Sequence, residues 1–308
     1  MKAHVYKSTG SWYQVRSEAG ETFNARIKGK FKIDDITSTN PVAVGDIIDA
    51  DKENIAEGSV IITNIYPRKN YITRQSPHNK HLHHIVASNL NQSLLFATLK
   101  DPKTSSGFID RFLVASEAYH VPAIIVFNKS DLYKIKEKEK FEELKFIYKE
   151  IGYEVLLMSI NENIGVDEVK DLLKDKTTLI SGHSGVGKSS FINSIFPDLL
   201  LQTQEVSDWS GKGLHTTTFA EMFDLPFGGK IIDTPGMREF ALMDISEQEL
   251  SHYFPEMKAL INECRFNNCK HIEEPGCAVK AAVEEGKISA GRYISYLKIL
   301  ESIEEKKW

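Results

Sequence analysis

Cysteine is scarce: three residues in a chain of 308, all between Cys264 and Cys277. An odd, clustered set excludes a disulfide framework and points to a metal site in a reducing compartment, so a cytoplasmic location is expected. Long apolar runs are missing too. No stretch approaches bilayer-spanning length, and the opening Met1-Lys2-Ala3-His4-Val5-Tyr6 lacks the apolar segment of a secretory leader, so no membrane partner is expected. Nor does basic charge prevail: 38 Lys and Arg stand against 43 Asp and Glu, a net charge of −5. That balance excludes a global basic field, and any RNA must be held by local patches. Internal repeats and long low-complexity segments are absent. What is present is 41% apolar residues, ample for the packed cores of two or three domains.

Residues 1–69 show no helical periodicity. Short alternating runs at 4–7, 11–17, 22–27, 46–50 and 60–65 are broken by Gly, Asn and Asp, the pattern of a small all-β barrel of the five-stranded oligonucleotide-binding (OB) type. Arg26, Lys28, Lys30 and Lys32 alternate with Ile27, Phe31 and Ile33. They form either a basic strand edge for RNA or an ordinary solvated face. Residues 70–244 alternate strands with helices, as in a mostly parallel α/β sheet. Apolar runs at 93–98, 123–127, 154–158, 178–180 and 230–232 predict buried strands; 108–119 and 134–151 predict helices. In the second helix Phe141, Leu144, Tyr148 and Ile151 make a core-facing stripe, and its Lys and Glu residues read as solvated. His78, His81, His83 and His84 are irregularly spaced without an acidic partner and read as a polar linker, not a metal site. Residues 245–308 combine a Cys/His cluster with helical patterns, including 292–305. The expected fold class is therefore multidomain α/β: an OB-type barrel (1–69), a P-loop domain (70–244) and a zinc-binding domain with helices (245–308).

Gly182-His183-Ser184-Gly185-Val186-Gly187-Lys188-Ser189 follows an apolar run and precedes Phe191, Ile192 and Ile195 at helical spacing. Strand, glycine-rich loop and helix in that order make a phosphate-binding loop. Gly182, Gly185 and Gly187 let backbone N–H groups turn toward phosphate oxygens at a positive helix end. Lys188 should reach the β and γ phosphates and the Ser189 hydroxyl should ligate Mg²⁺; His183, Ser184, Val186 and Ser190 belong to the same contact set. Asp233-Thr234-Pro235-Gly236 closes the last apolar run, where Asp233 can hold the Mg²⁺ shell and Gly236 can offer its N–H to the γ-phosphate. Between them, Thr216, Thr217 and Thr218 supply hydroxyls for a switch loop closing on magnesium, and the sequence does not choose among the three.

Asn128-Lys129-Ser130-Asp131 also follows a buried run. A carboxylate such as Asp131 accepts from guanine's ring N–H and amino group and rejects adenine, which lacks that donor pair. Sites of this kind discriminate by about 10⁴–10⁵, or ~5–7 kcal/mol. Lys129 can lay its stem over the base, Asn128 can tie the loop to the phosphate loop, and Ser159 can offer a backbone N–H to the base oxygen. The order of the two loops is inverted relative to ordinary GTPases, in which the phosphate loop comes first. The arrangement is that of a circularly permuted GTP-binding domain, whose chain leaves just past Asp233-Thr234-Pro235-Gly236. The zinc domain is thus tied to that switch, with the barrel entering from the other side.

One more absence bears on hydrolysis. After Gly236 comes Met237, whose thioether cannot orient water as a glutamine would. His215 in the Thr-rich loop is the internal catalytic candidate, and an ordinary loop histidine is the competing reading. A GTP switch with incidental hydrolysis and an ATP-dependent P-loop enzyme also stay open. Cys264-x4-Cys269-x-His271-x5-Cys277 offers three thiolates and one imidazole, a set suited to tetrahedral Zn²⁺; four protein ligands leave no catalytic position, so the ion would be structural. Apparent binding energies of zinc peptides are about 10–16 kcal/mol.

Together these features resemble the circularly permuted, ribosome small-subunit-dependent GTPase A (RsgA) family over nearly the whole chain. The resemblance is carried by the permuted order, Gly213-Leu214-His215-Thr216-Thr217-Thr218, Asp233-Thr234-Pro235-Gly236, and the segment from Cys264-Arg265-Phe266 to Glu274-Pro275-Gly276-Cys277. It implies GTP/GDP, the 30S subunit and 16S rRNA as partners, Zn²⁺ and Mg²⁺ as cofactors, and GTP hydrolysis stimulated by the subunit during its late maturation, triggering release. A monomer is expected. Leu214 departs from the family's usual arginine, which removes a positive charge from the switch.

Overall fold

The computed structural model describes residues 1–10, 12–27, 40–54, 59–75, 83–197, 220–234 and 245–304. Strands β1 (Lys2–Ser8), β2 (Tyr13–Ser17), β3 (Thr22–Ile27), β4 (Ile47–Asn54) and β5 (Ser59–Ile65) form the amino-terminal unit. Their alternation turns Ala3, Val5, Val15, Ala25, Ile48, Val60 and Ile62 inward to one apolar core, with the period of two that a pleated strand imposes. The order β1-β2-β3-β5-β4 is closed by pairing of β4 with β1, and β3 runs parallel to β5 through Ala25↔Val60. Closure removes the sheet edges. Arg26 is exposed and Ile27 half-buried; Lys28, Lys30, Phe31, Lys32 and Ile33 lie outside the described residues.

Strands β6 (Tyr71–Gln75) and β7 (His83–Ser88) form a separate antiparallel hairpin. This corrects the linker expectation: His83 and His84 open β7, while His78 and His81 lie outside the described residues. The hairpin is stapled to the barrel side by buried polar bonds that local sequence does not advertise. Asn40 donates to the Ile85 carbonyl at 2.9 Å and accepts its N–H at 3.0 Å. Ser88 donates to Asp46 at 2.6 Å, and Arg68 holds the same carboxylate at 2.6 and 2.7 Å.

The central sheet contains β8 (Gln92–Ala97), β9 (Ala123–Phe127), β10 (Glu154–Leu157), β11 (Thr177–Ser181), β12 (Glu221–Asp224) and β13 (Lys230–Asp233), in the order β10-β9-β8-β11-β13-β12. All neighbours are parallel except β12 against β13. Helices α1 (Ser106–Ala118), α2 (Ile135–Glu150), α3 (Val166–Leu173) and α4 (Lys188–Ile195) cover its faces. Along β8, Leu95 and Ala97 join one core while Leu94 and Phe96 join the other. A strand buried on both faces reads as a continuous apolar run for this reason. On α2, Phe141, Leu144 and Tyr148 face the core, and Ile151 is half-buried.

Helices α5 (Pro255–Lys258), α6 (Ala278–Glu284) and α7 (Ala290–Glu304) pack on the α1 side. Phe254, Met257, Tyr296 and Leu300 share a core with Phe112, Ile125 and Tyr148. Within it, Arg292 donates to Asp110 at 2.7 Å and to Glu256 at 2.8 and 3.1 Å, with its guanidinium 4.6 Å from the Phe254 ring centre. At the opposite end of the sheet, β1 pairs with β12 through Lys7↔Glu221, making barrel and sheet one eleven-stranded surface. The barrel thus rests on the β12–β13 ribbon, whose second strand ends at Asp233. Among the described residues no helix is long and apolar enough to cross a membrane.

Candidate functional site

Parallel strands end at a common edge, and ligands of such sheets bind beyond their carboxyl ends. Register aligns the relevant ends here: Ser181 pairs with Leu95, Ile180 with Asp233, Phe127 with Ala97 and Leu157 with Phe127. Loops far apart in the chain thus emerge side by side. The phosphate loop leaves β11 and enters α4, with φ of 141°, 80° and 97° at Gly182, Gly185 and Gly187. Two of these glycines are also demanded by space. A Cβ on Gly182 would lie 2.4 Å from the Phe96 carbonyl oxygen, and one on Gly187 2.3 Å from Asn128 Nδ2.

Lys188 Nζ donates to the carbonyls of Gly182 at 2.7 Å and His183 at 2.9 Å. Burial lowers its pKa, opposed by the Asp233 charge, and burial likewise raises the Asp233 carboxyl against the pull of Lys188. Both groups are desolvated, and the charge of each favours the ionised form of the other. Ser189 is half-buried in the first turn of α4, while Ser184 and Ser190 are exposed. The His183 ring stacks on Phe108 of α1 at 3.8 Å and 30°, a contact with no local signal in the sequence.

The guanine-type loop leaves β9. Asn128 is buried and donates from Nδ2 to the Val186 carbonyl at 2.9 Å, joining this loop to the phosphate loop. Its Oδ1 and the Ser130 hydroxyl have no protein partner among the described residues. Lys129 takes φ 60° and donates to the Asp101 carbonyl at 2.6 Å. Ser130 N–H donates to the Met158 carbonyl at 3.1 Å. Tyr133 clamps the base of the loop, its hydroxyl donating to the Asn128 carbonyl at 2.9 Å and accepting Leu99 N–H at 3.1 Å. Burial pushes that phenol up to about 12.

Asp131 accepts the Ser159 hydroxyl at 2.7 Å and the Asn161 amide at 3.1 Å. Burial raises its carboxyl, but these donors outweigh it and the pKa lies below the usual value. Ser159 differs from expectation. Its N–H donates to the Ile164 carbonyl at 3.0 Å in a small bridge, so that donor is engaged within the loop and the residue acts on Asp131 through its side chain. Tyr133 and Asn161 were missed by sequence reasoning. An aromatic at a helix start and an Asn in the polar run Asn161-Glu162-Asn163 carry no motif. His215, Thr216, Thr217, Thr218, Gly236, Met237 and Leu214 lie outside the described residues.

The Cys264, Cys269, His271 and Cys277 donor atoms all lie within 4.8 Å of one another. Sγ of Cys264 and Cys277 are 4.0 Å apart, and His271 Nδ1 is 3.6 and 3.3 Å from them. Those are edge lengths of a tetrahedron with metal–ligand bonds of about 2.0–2.3 Å. The donor chemistry agrees: burial pushes the Cys269 thiol up to about 12 and raises Cys277, so their thiolate forms would need the compensation a bound cation supplies. The loop is held from outside the cluster. Glu274 accepts the N–H groups of Lys270, Ile272 and Glu273 at 2.7, 2.9 and 3.1 Å, and Cys277 Sγ accepts Lys280 N–H at 3.4 Å. From α7, Tyr293 and Tyr296 donate to the His271 and Lys270 carbonyls at 2.6 and 2.7 Å.

Comparison with known proteins agrees with this geometry. The RsgA GTPase family model matches residues 65–243 and the RsgA N-terminal domain model matches residues 2–60. The chain is 51% identical over 306 residues to a Flavobacterium psychrophilum protein named small ribosomal subunit biogenesis GTPase RsgA, covering 99% of this chain and 94% of that one. A Cytophaga hutchinsonii protein of the same name is 52% identical over 300 residues, covering 97% and 98%. Among solved structures, YjeQ from Thermotoga maritima superposes with a TM-score of 0.76 at 34% identity, covering 98% of each chain. YloQ, described as a circularly permuted GTPase, gives 0.75 at 29%, covering 99% and 95%. Its permuted loops, closed amino-terminal barrel, Cys/His cluster and full-length similarity make this chain a member of the RsgA family of GTPases.

Proposed function

We propose that the chain is a GTPase of small ribosomal subunit biogenesis that binds 30S particles and 16S rRNA through its flanking domains. When seated there it hydrolyses GTP in a subunit-stimulated manner, and hydrolysis triggers release. The single observation that carries the GTP reading is the Asp131 carboxylate, fixed by two donors beside a phosphate loop to which Asn128 is bonded. Asp131 reads the base; Asn128 and Ser159 position the reader; Lys129 covers the base. Gly182 to Ser190 surround the phosphates, with Lys188 neutralising charge. Thr216, Thr217, Thr218 and Gly236 close on the γ-phosphate, and His215 acts on the attacking water. Since Ser159 N–H is engaged, the next N–H along the chain, that of Ile160, is the backbone donor offered to the base oxygen.

Ser189 and Asp233 would hold Mg²⁺; the Lys188 charge that pulls on the Asp233 carboxyl supports this reading. When bound, that ion supplies electrostatic stabilisation of the phosphate oxygens. The four Cys/His ligands would hold one structural Zn²⁺. In this reading the chain divides into 1–69, 70–244 and 245–308 and works as a monomer in the cytoplasm.

Turnover measured with and without purified 30S particles tests the proposal: strong stimulation is expected, and equal rates would refute subunit-dependent activation. His215→Ala should abolish the stimulated rate while leaving GTP affinity in place. Competition with ATP tests the base reading. GTP should win decisively, and Asp131→Asn should weaken GTP by at least about a hundredfold.

A further inference from the structure

The Asp131 carboxylate is held in an unusual balance between a buried donor and an exposed one. Asp131 lies in the short 3-10 turn Ser130–Leu132 directly after β9. One of its oxygens accepts the hydroxyl of Ser159, a fully buried residue, at 2.7 Å. The other accepts Nδ2 of Asn161, an exposed residue, at 3.1 Å. An ionised carboxylate has about four lone-pair sites, two on each oxygen. Ser159 and Asn161, one on each oxygen, together with the Asp131 backbone N–H that also reaches the carboxylate, fix its plane and leave part of its acceptor capacity for a ligand. That remaining capacity suits the adjacent ring N–H and amino group on one edge of guanine.

The turn carrying Asn161 is itself rigid. Ser159 and Ile164 exchange backbone hydrogen bonds at 3.0 and 2.9 Å, and Glu162 N–H donates to the Ser159 hydroxyl oxygen at 3.2 Å. Gly165, at φ 67°, lets the chain pass where a Cβ would lie 2.3 Å from the Leu157 carbonyl oxygen. The Asn161 amide is thus presented at little further cost in conformational entropy, which makes its bond to Asp131 a preorganising one. Without it, the second oxygen loses its side-chain donor and the carboxylate plane is less firmly set.

We propose that Asn161 is a specificity-determining positioning residue, which orients the Asp131 carboxylate for a guanine base and thereby sets the preference for guanine over adenine nucleotides. This rests on the GTP reading above. Asn161 is not a catalytic residue, since it acts on the base through Asp131. Its exposure separates this role from folding.

The test uses the full-length protein with a fluorescent GDP displaced by GTP, inosine triphosphate or ATP. In Asn161→Ala the GTP dissociation constant should rise about tenfold, as for one charge-assisted hydrogen bond, while that for ATP stays within twofold. Inosine triphosphate lacks the amino donor and should lose less than GTP. Asn161→Ser, which keeps a short donor, should recover part of the loss. An unchanged GTP-to-ATP preference in Asn161→Ala overturns the proposal. A parallel fall for both nucleotides also overturns it, because that marks general damage to the pocket. If the unsubstituted protein itself fails to prefer GTP over ATP, the guanine reading falls as well, so the two failures are distinguishable.

Discussion

At the scale of residues, a tight constraint in the site lies between two motif positions distant in sequence. Gly187 has φ 97°, and any Cβ on it would lie 2.3 Å from the Asn128 amide nitrogen. That amide is already bonded to the neighbouring Val186 carbonyl at 2.9 Å. Gly187→Ala must therefore strain the backbone and displace the link between the two loops. The expected cost is about 2–4 kcal/mol, read by chemical denaturation, together with loss of GTP binding in a titration. Full affinity in that variant would show that the loops do not need each other.

At the scale of elements, α1 is the hub. Its Phe108 stacks on His183 of the phosphate loop, and its Asp110 meets Arg292 of α7. Tyr148 of α2 adds a bond to the same carboxylate at 2.8 Å. Burial raises the Asp110 carboxyl while Arg292 pulls it back, so the cation is what keeps the anion tolerable inside the core. Arg292→Ala leaves two carboxylates buried without their partner and should cost about 3–5 kcal/mol, measured by urea unfolding. Arg292→Ala combined with Asp110→Ala and Glu256→Ala should recover much of that loss, because the unpaired charges go too. The Cys/His loop is the second such element, with Cys264 and Cys277 buried and Cys269 half-buried beside the buried His271. Metal analysis should find about one zinc per chain. Chelation should lower the melting temperature, with less than half an equivalent in a chelator-free preparation sinking the structural-zinc reading.

At the scale of the whole molecule, barrel and nucleotide domain meet at the β12–β13 ribbon. Asp224 accepts Tyr6 at 2.7 Å and Lys230 at 2.7 Å and pairs with Arg16; Lys7 pairs with Glu221 at 2.8 Å. Burial raises the Asp224 carboxyl, but Lys230, Tyr6 and Arg16 outweigh it and the pKa is depressed. A depressed pKa means stabilisation that is full above the unfolded value, about 4, and lost as pH falls through the folded value. The groups are partly exposed, so Asp224→Asn should cost no more than about 1 kcal/mol of stability. It should nevertheless loosen the barrel. Spin labels placed at Trp12 and Phe146 should give a broader distance distribution in the variant at neutral pH. The unsubstituted protein should broaden the same way only on acidification below about pH 4. Identical distributions at neutral pH would dispose of the idea that this cluster sets barrel position.

What could be read from sequence alone was whatever is encoded in contiguous residues. Glycine spacing with Lys188 and Ser189, the Asn128–Asp131 run, the Cys264–Cys277 spacing and the period-two barrel strands each carry their chemistry locally, and the inverted order of the loops is visible without coordinates. The tertiary structure decided the pairings between distant segments. It placed β12 as an antiparallel strand under the barrel, made His83 and His84 part of a hairpin, bonded Ser159 to Ile164 and Asp131, and brought Asn161, Tyr133 and Phe108 to the site. Hydrogen bonds and stacking between residues far apart depend on register and on the meeting of loops at one sheet edge. No short stretch of sequence encodes that meeting, because it exists only once the sheet is assembled.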